Sequence, residues 1–234
     1  MIKLINGHER AKFPQLIDQM HRLRKTVFYD RLKWDVPIVG DWEIDSFDEE
    51  NPLYVLVLDP KGAVQGSLRL LPTTGPNMLR DVFSAITEDS QPVENPLVWE
   101  SSRFCIRFSS EREPERNFPR NAVTNEAAQN NKDQRETNII SKATVELIAA
   151  MGEVGMLAGL DHIVTVYDAF LRRIIRQTGC AEALIGKPVR FGRVQTYAGL
   201  FDINPIALSA FKKIWNLPEI LIDEESRSRN FVAA

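Results

Sequence analysis

The 234-residue chain has few of the residues that mark metal-binding, redox or secreted proteins. It contains two cysteines, Cys105 and Cys180, and three histidines, His8, His21 and His162, which lie far apart. Zinc sites need His and Cys ligands at short, characteristic spacings, so we predict no metal site. Two isolated cysteines favour free thiols in a reducing compartment over a disulfide.

The sequence also lacks long apolar runs, a leader segment and an excess of basic charge. No stretch of about 18 apolar residues is present, and no charged-then-apolar segment opens the chain, so neither a membrane span nor a secretory signal is indicated. The net charge of −3 argues against a nucleic-acid-binding protein. We therefore expect a cytoplasmic protein that binds neither membranes nor nucleic acids.

Several catalytic motifs are missing as well. No Gly-rich phosphate loop follows a strand, and no G-x-S-x-G nucleophile motif occurs. The glycines of "GEVGMLAG" lie within a predicted helix, where they indicate close packing. A hydrophobic content of 44% is enough for one domain, 1–234, with a real core. Residues 109–137 contain few apolar side chains, and we predict a mobile insertion there.

The hydrophobic patterns predict an α/β fold. Strands are predicted at residues 1–5, 53–59, 63–71, 98–108, 161–168 and 193–201, and helices at 10–30, 78–83, 138–157, 169–177 and 205–215. The early strands follow one another like antiparallel neighbours, and the later ones alternate with helices. This order predicts a mixed twisted sheet with helices on both faces, followed by a polar tail.

Charged residues inside apolar segments are the clearest functional signal. Arg69 lies in the middle of the strand "GSLRLLPTTGP", and a buried guanidinium needs an anion. The candidate partners are acids in similar settings, and further arginines accompany them: Asp45, Asp48 and Glu100, with Arg24 and Arg103. Such a set forms either a structural ion-pair network or a binding site. The neighbouring aromatic residues Phe28, Trp34 and Trp42 favour a site for a positively charged ligand.

The spacing of Glu100 and Arg103 predicts a distortion in their strand. Residues three apart on a regular strand face opposite sides of the sheet. If both side chains serve one site, the strand needs a β-bulge, and we place it at Ser101-Ser102.

These residues, in this order and spacing, resemble the acyl-homoserine lactone synthases of the LuxI type. The resemblance rests on "RLRKTVF", Trp34, "EIDSFD", "GSLRLLPT" and "WESSRF". They fill all eight signature positions across the first half of the chain: Arg24, Phe28, Trp34, Asp45, Asp48, Arg69, Glu100 and Arg103. The second half resembles the family only loosely.

The resemblance implies a GNAT-like three-layer fold whose sheet is split near its centre, where a thioester enters. It also implies two substrates, S-adenosylmethionine and an acyl group carried on acyl carrier protein or coenzyme A, with no further cofactor. The implied enzyme acylates the amine, closes a lactone and releases 5′-methylthioadenosine, and its product is a quorum-sensing signal. We expect it to act as a monomer.

The resemblance also implies roles for individual residues. Glu100 would be the general base, and Phe28 with Trp34 would cover the S-adenosylmethionine site. Backbone N–H groups near Phe104 or Cys105 would stabilise the oxyanion. Thr165 lies where a threonine accompanies 3-oxo-acyl preference in some members, although a β-branched residue also simply suits a strand.

A basic group in the second half is a candidate docking surface for an acidic carrier protein, or an ordinary set of solvated charges. It consists of Arg172, Arg173, Arg176, Lys187 and Arg190.

Three other functions compete with this interpretation. A general GNAT acetyltransferase would need an R/Q-x-x-G-x-G/A pyrophosphate loop after the central strand, where only the polar insertion follows. A non-catalytic ligand-binding relative would be expected to lose Glu100 or the arginines, and all are present. A methyltransferase would need a Gly-rich loop after its first strand, which is also missing.

Overall fold

The computed structural model describes residues 1–88, 93–107 and 140–228. The insertion predicted at 109–137 lies outside these residues. Nine strands are described: β1 (Ile2–Asn6), β2 (Ile38–Val39), β3 (Trp42–Glu43), β4 (Leu53–Leu58), β5 (Val64–Pro72), β6 (Val98–Ile106), β7 (His162–Asp168), β8 (Ala183–Phe191) and β9 (Val194–Asp202). The α-helices are α1 (Pro14–Arg24), α2 (Met78–Asp81), α3 (Lys142–Leu157), α4 (Ala169–Gln177), α5 (Pro205–Ile214) and α6 (Glu224–Ser228).

Seven strands form one mixed sheet in the order β1-β4-β5-β6-β7-β9-β8. Every neighbouring pair is antiparallel except β6 and β7, which run parallel. Strands β2 and β3 form a separate small hairpin. The mixed sheet agrees with the sequence prediction.

Helices cover both faces of the sheet. On one face, buried α3 residues such as Leu147 and Val154 pack against Val55 and Leu70 of the sheet. On the opposite face, Met20 of α1 packs in a cluster with residues of β4. We name these the α3 face and the α1 face. The predicted GNAT-like three-layer architecture is confirmed.

The predicted helix 10–30 is divided into three parts. A 3₁₀ helix (Gly7–Lys12) precedes α1, and a π-helical segment (Lys25–Arg31) follows it. Pro14 occupies the first turn of α1, where its missing N–H costs nothing. The continuous apolar periodicity concealed these changes in helical pitch.

Strand β8 was not predicted from the sequence. Most of its residues are exposed or half-buried, so it lacks the apolar run of a buried strand. Its pairing with β9 is also interrupted between Ile185 and Val189, where Gly186 adopts a positive φ of 59°. The predicted polar tail was also too simple, because Leu221 and Ile222 are buried and Ile222 bridges to β1.

The parallel strands β6 and β7 separate part-way along their length. Their pairing runs from Val98↔His162 to Ser101↔Thr165 and stops there. Strand β6 continues alongside β5 to Ile106, while β7 continues alongside β9 to Asp168. The sheet is therefore split at its centre, as expected. No helix within the described ranges is both long and apolar enough to cross a membrane.

The β-bulge in β6 exists, but its predicted position at Ser101-Ser102 was wrong. Ser102 pairs with Arg69 and Cys105 pairs with Ser67, so two residues of β6 oppose one residue of β5. Arg103 adopts a positive φ of 54°, which non-glycine residues rarely do. The extra residue is therefore at Arg103-Phe104.

Candidate active site

Asp48 lies at the centre of a buried ion-pair network on the α1 face. It belongs to a 3₁₀ helix (Ser46–Glu49) whose N-terminal cap is Asp45, and the Asp45 N–H donates to Asp48 Oδ2 at 2.9 Å. Arg24 binds both Asp48 oxygens, at 2.8 and 2.9 Å, and the Tyr54 hydroxyl donates to Oδ1 at 2.9 Å. Burial acts to raise the pKa of Asp48, but the arginines outweigh it and hold that pKa well below its usual range.

Arg69 has the anionic partners that its buried position demands. Its guanidinium binds Asp45 at 2.5 and 3.2 Å and lies 3.0 Å from Asp48. Its Nε donates to Ser102 Oγ of the neighbouring strand at 3.1 Å. Arg69 is completely buried, so its charge is balanced by these carboxylates rather than by water.

Glu43 is a member of the network that the sequence analysis missed. It is completely buried and accepts from Arg24 Nε at 2.5 Å and from Arg103 Nε at 3.0 Å. Glu43 and Asp45 are two residues apart in extended chain, a spacing that puts side chains on one side. That alternation in "EIDSFD" was the signal that could have found it.

The bulge brings Arg103 into the network. Its Nη2 lies 2.6 Å from Asp45 Oδ2 and 2.9 Å from Glu43 Oε1. In a regular strand Arg103 would face α3, but the extra residue returns it to the face that carries Glu100 and Ser102. The prediction that Glu100 and Arg103 share one face through a bulge is confirmed.

Two aromatic rings lie over one side of the network. Phe28 and Trp34 stack with ring centroids 5.4 Å apart, and the Arg103 guanidinium carbon lies 5.6 Å from the Phe28 centroid. The π-helical segment and a positive φ of 57° at Lys33 reverse the chain between the two rings. Trp42, by contrast, stacks on His21 with ring centroids 5.5 Å apart, and its Nε1 donates to Asp18 at 2.9 Å.

Glu100 connects the network to α2. Its Oε2 accepts from the Met78 N–H at 2.9 Å and its Oε1 from the Leu79 N–H at 2.6 Å. Burial raises the pKa of Glu100, although these N–H groups and the nearby arginines oppose the rise. Met78 in turn places its sulfur 3.2 Å from Arg103 Nη1 and 3.5 Å from Arg69 Nη2.

Phe104 and Cys105 lie where β6 leaves β7. The Arg107 N–H donates to Gln65 O at 2.7 Å, so by alternation the Cys105 N–H also points towards β5 and the Phe104 N–H points towards the split. The Cys105 side chain lies 3.2 Å from Ser67 Oγ, and burial raises its pKa to about 11. Both described cysteines are free thiols. Of the two backbone N–H groups, that of Phe104 therefore faces the split.

Thr165 lies at the point where the strands separate. It belongs to the last β6–β7 pair, and its hydroxyl donates to the Ser101 carbonyl at 2.7 Å. It is therefore nearly buried at the apex of the split.

The structure places the five predicted docking residues on α4 and β8. Arg172 pairs with Glu182 at 2.7 Å and lies 4.5 Å from the Tyr197 ring centroid. Arg173 and Arg176 are exposed on α4, and Lys187 and Arg190 are exposed on β8. Arg172 and Arg176 line one open hollow together with Cys180 and Glu182.

The chain is similar to known proteins over most of its length. The family described as autoinducer synthase matches residues 8–210. An acyl-homoserine-lactone synthase of Agrobacterium fabrum is 32% identical over 198 residues, covering 85% of this chain and 84% of that protein.

Solved structures agree with this similarity. The crystal structure of the acyl-homoserine lactone synthase LasI is 26% identical, covers 90% of this chain and 94% of its own, and has a TM-score of 0.68. The structure of a CoA-dependent acyl-homoserine lactone synthase, BjaI, with S-adenosylmethionine and isopentyl-CoA has a TM-score of 0.75 at 23% identity, over 95% of this chain and 92% of that one, which shows the shared fold. The chain belongs to the autoinducer synthase family and is an acyl-homoserine-lactone synthase.

Proposed function

We propose that this synthase acylates the amine of S-adenosylmethionine from an acyl thioester and then closes the homoserine lactone, releasing 5′-methylthioadenosine. The observation that carries the proposal is the buried network beneath Phe28 and Trp34, which lies beside a split in the sheet. One substrate would bind on the α1 face, and the thioester would reach it through the split.

The charge of the network supports S-adenosylmethionine as that substrate. Four carboxylates, those of Glu43, Asp45, Asp48 and Glu100, face three guanidiniums, those of Arg24, Arg69 and Arg103, which leaves one negative charge when all are ionised. S-adenosylmethionine has an ammonium, a sulfonium and a carboxylate, and so carries one positive charge. Its ammonium would also favour the ionised form of Glu100.

Glu100 would act as the general base for acylation. The ammonium must lose a proton before its nitrogen attacks the thioester carbonyl. Each Glu100 oxygen accepts one backbone N–H and keeps a free lone pair, which can receive that proton directly or through one water. The raised pKa of Glu100 makes its carboxylate a stronger base.

The remaining steps follow from the split and from the substrate itself. Attack forms a tetrahedral oxyanion, which the Phe104 N–H would stabilise, and collapse expels the thiol and leaves an amide. The substrate carboxylate then attacks the carbon bonded to the sulfonium, so a C–O bond forms as the C–S bond breaks. Every reacting group comes from the two substrates or the chain, so we propose that no metal or other cofactor takes part.

The acyl donor would be acyl carrier protein or coenzyme A. Arg173, Arg176, Lys187 and Arg190 provide exposed positive charge that an acidic carrier would recognise. Thr165 would contact the acyl group near its carbonyl end, because it lies at the apex of the split. We also propose that the enzyme acts as a cytoplasmic monomer in quorum sensing.

The test is mass spectrometry of purified protein with S-adenosylmethionine and a panel of acyl-carrier-protein and acyl-CoA thioesters. Acyl-homoserine lactone together with methylthioadenosine is the expected result. Acylated product without methylthioadenosine would point instead to a GNAT-type acetyltransferase activity. Binding of S-adenosylmethionine without any product would favour a non-catalytic relative.

The base assignment needs its own variant, Glu100→Gln. We expect kcat to fall by about 10²-fold or more, and the acidic limb of the kcat/KM pH profile, which reports protonation of Glu100, to disappear. Asp81→Asn is the matched control, because Asp81 also accepts a backbone N–H at α2, from Asn77 at 3.0 Å, but is 36% exposed. A Glu100→Gln enzyme with near-normal turnover would refute the assignment.

A further inference from the structure

Tyr167 lies next to Thr165 on the same face of β7. Residues two apart on a strand share a face, and Val164 and Val166 point to the opposite one, where they join another apolar cluster. Tyr167 follows the last β6–β7 pair, so it belongs to the part of β7 that borders the split. It is nevertheless nearly buried, because its ring lies across the neighbouring strand β9.

The ring of Tyr167 fills a space that Gly199 leaves open. Gly199 pairs directly with Thr165, so the space above it adjoins Thr165. A Cβ atom at position 199 would lie 2.1 Å from the Tyr167 hydroxyl oxygen and 3.0 Å from Cζ. Any side chain larger than hydrogen at Gly199 would therefore displace the ring.

A polar cluster holds the ring in this position. The Tyr167 hydroxyl donates to Glu182 Oε2, and Glu182 Oε1 accepts from Arg172 Nε at 2.7 Å. The ring also lies against Tyr197 and Phe201, at centroid distances of 6.5 and 6.3 Å. Because the hydroxyl group of Tyr167 has a hydrogen-bond partner and its ring has aromatic neighbours, the ring cannot rotate away without losing several contacts.

The Tyr167 ring lies in the path that we expect for the acyl tail of the donor. The ion-pair network lies on the α1 face, so an acyl tail that passes through the split emerges on the α3 face beside Thr165. A tail that continues from Thr165 towards β9 would enter the space above Gly199. Tyr167 occupies that space.

We infer that Tyr167 is a specificity-determining residue that sets the upper limit of acyl-chain length by filling the space above Gly199. This inference rests on the proposed function. The chemical class of donor that it favours is a short or compact acyl thioester, because each further methylene of a linear chain would meet the ring.

The test is a competition assay with an equimolar mixture of butanoyl, hexanoyl, octanoyl and decanoyl thioesters on the carrier that the wild-type enzyme uses. Tyr167→Val removes the ring and keeps a residue that suits a strand. Tyr167→Phe is the matched control, since it removes only the hydroxyl and its bond to Glu182. For Tyr167→Val we expect the ratio of longer to shorter lactones to rise about tenfold, as two further methylenes become buried.

The outcomes separate the inference from the proposed function. An unchanged ratio in a folded, active Tyr167→Val enzyme would overturn the inference, as would an equal shift in Tyr167→Phe. If Tyr167→Val fails to fold, Tyr167→Leu provides the same comparison, with thermal melting as the check on folding. A wild-type enzyme that makes no lactone from any donor would refute the proposed function instead.

Discussion

At the scale of single residues, Glu43 gives the network a second link between Arg24 and Arg103, in addition to the one that runs through Asp48, Arg69 and Asp45. One of its oxygens accepts from Arg24 and the other from Arg103, so it connects α1 to the bulge of β6. Asp48 also binds Arg24, and Asp45 also binds Arg103, so each guanidinium has two carboxylate partners among the described residues. Glu43 is the carboxylate that these two guanidiniums share.

We predict that Glu43→Gln destabilises the protein and weakens the site. The change keeps the shape of the side chain but removes the carboxylate that Arg24 and Arg103 share, so each guanidinium keeps one carboxylate partner, and breaking buried pairs in this way costs about 3–5 kcal/mol. Urea unfolding would measure the loss of stability, and calorimetry would measure the expected loss of S-adenosylmethionine affinity.

The control for this variant is Asp41→Asn. Asp41 lies two residues before Glu43 and pairs with Arg22 at 2.6 Å, but both side chains are more than half exposed. Its loss should lower stability much less than the loss of Glu43, because water screens an exposed pair. Equal losses of stability in Glu43→Gln and Asp41→Asn would contradict the prediction that the buried acid contributes more than the exposed one.

The sequence was informative about individual site residues because a charge inside an apolar segment demands a partner. That reasoning brought Arg24, Arg69, Asp45 and Asp48 together, and the structure joins all four. It could not show that Glu100 accepts the N–H groups of α2, because those groups lie 21 and 22 residues away in a region without a strong pattern.

At the scale of secondary-structure elements, α3 depends on two glycines for its packing. A Cβ at Gly155 would lie 2.6 Å from Ile203 Cδ1 and 2.8 Å from its Cγ1, whereas a Cβ at Gly152 would lie 3.0 Å from Leu208 Cδ1. The prediction that these glycines serve packing is confirmed. The two positions differ in how far the neighbouring side chain must move.

We predict that Gly155→Ala lowers the free energy of unfolding by about 1–3 kcal/mol, because Ile203 must shift in a packed core. Gly152→Ala should be nearly neutral, since alanine favours the helix by about 1 kcal/mol and offsets a milder contact. Chemical denaturation of both variants would measure the difference. A larger loss of unfolding free energy in Gly152→Ala than in Gly155→Ala would contradict this account of the packing.

Boundaries and distortions of elements were the least predictable features. The bulge in β6 followed from the expectation that Glu100 and Arg103 serve one site. Its position depends on which residue adopts a positive φ opposite β5, and that residue is Arg103. Strand β8 escaped prediction because an exposed, interrupted strand leaves no apolar pattern.

At the scale of the whole molecule, the segment that contains Leu221, Ile222 and Glu225 connects distant parts of the chain. We call it the C-terminal segment. Glu153 of α3 accepts from the N–H groups of Leu221 and Ile222, at 3.0 and 3.2 Å, and binds Lys212 of α5. Ile222 bridges to Ile2, so this segment also covers the outer edge of β1. None of these residues touches the ion-pair network.

We predict that Glu153→Gln lowers global stability by about 3–5 kcal/mol, because it removes the carboxylate partner that the buried Lys212 ammonium has among the described residues. The KM for S-adenosylmethionine should not change in the fraction that remains folded. Thermal melting and steady-state kinetics would measure the two effects.

Glu225→Gln is the control for this variant. Glu225 also belongs to the C-terminal segment and pairs with Lys3, but it is 60% exposed. Its replacement should cost about 1 kcal/mol or less. A change in KM for Glu153→Gln would show that the C-terminal segment influences the active site.

The overall architecture was predictable because strand order and helix alternation leave few arrangements of a mixed sheet. The contribution of the C-terminal segment could not be predicted. The segment is short, and acidic residues flank its buried residues, Leu221 and Ile222, in the sequence. Its position depends on its bridge to β1 and on a buried acceptor, Glu153, which the sequence does not distinguish from a surface residue of a helix.

The extra residue in β6 also bears on how this enzyme can change during evolution. Deletion of Phe104 would restore regular alternation and turn Arg103 towards α3, away from Glu43 and Asp45. A substitution at Phe104 would leave that alternation intact. Insertions and deletions in this part of β6 should therefore be tolerated less well than changes of residue type.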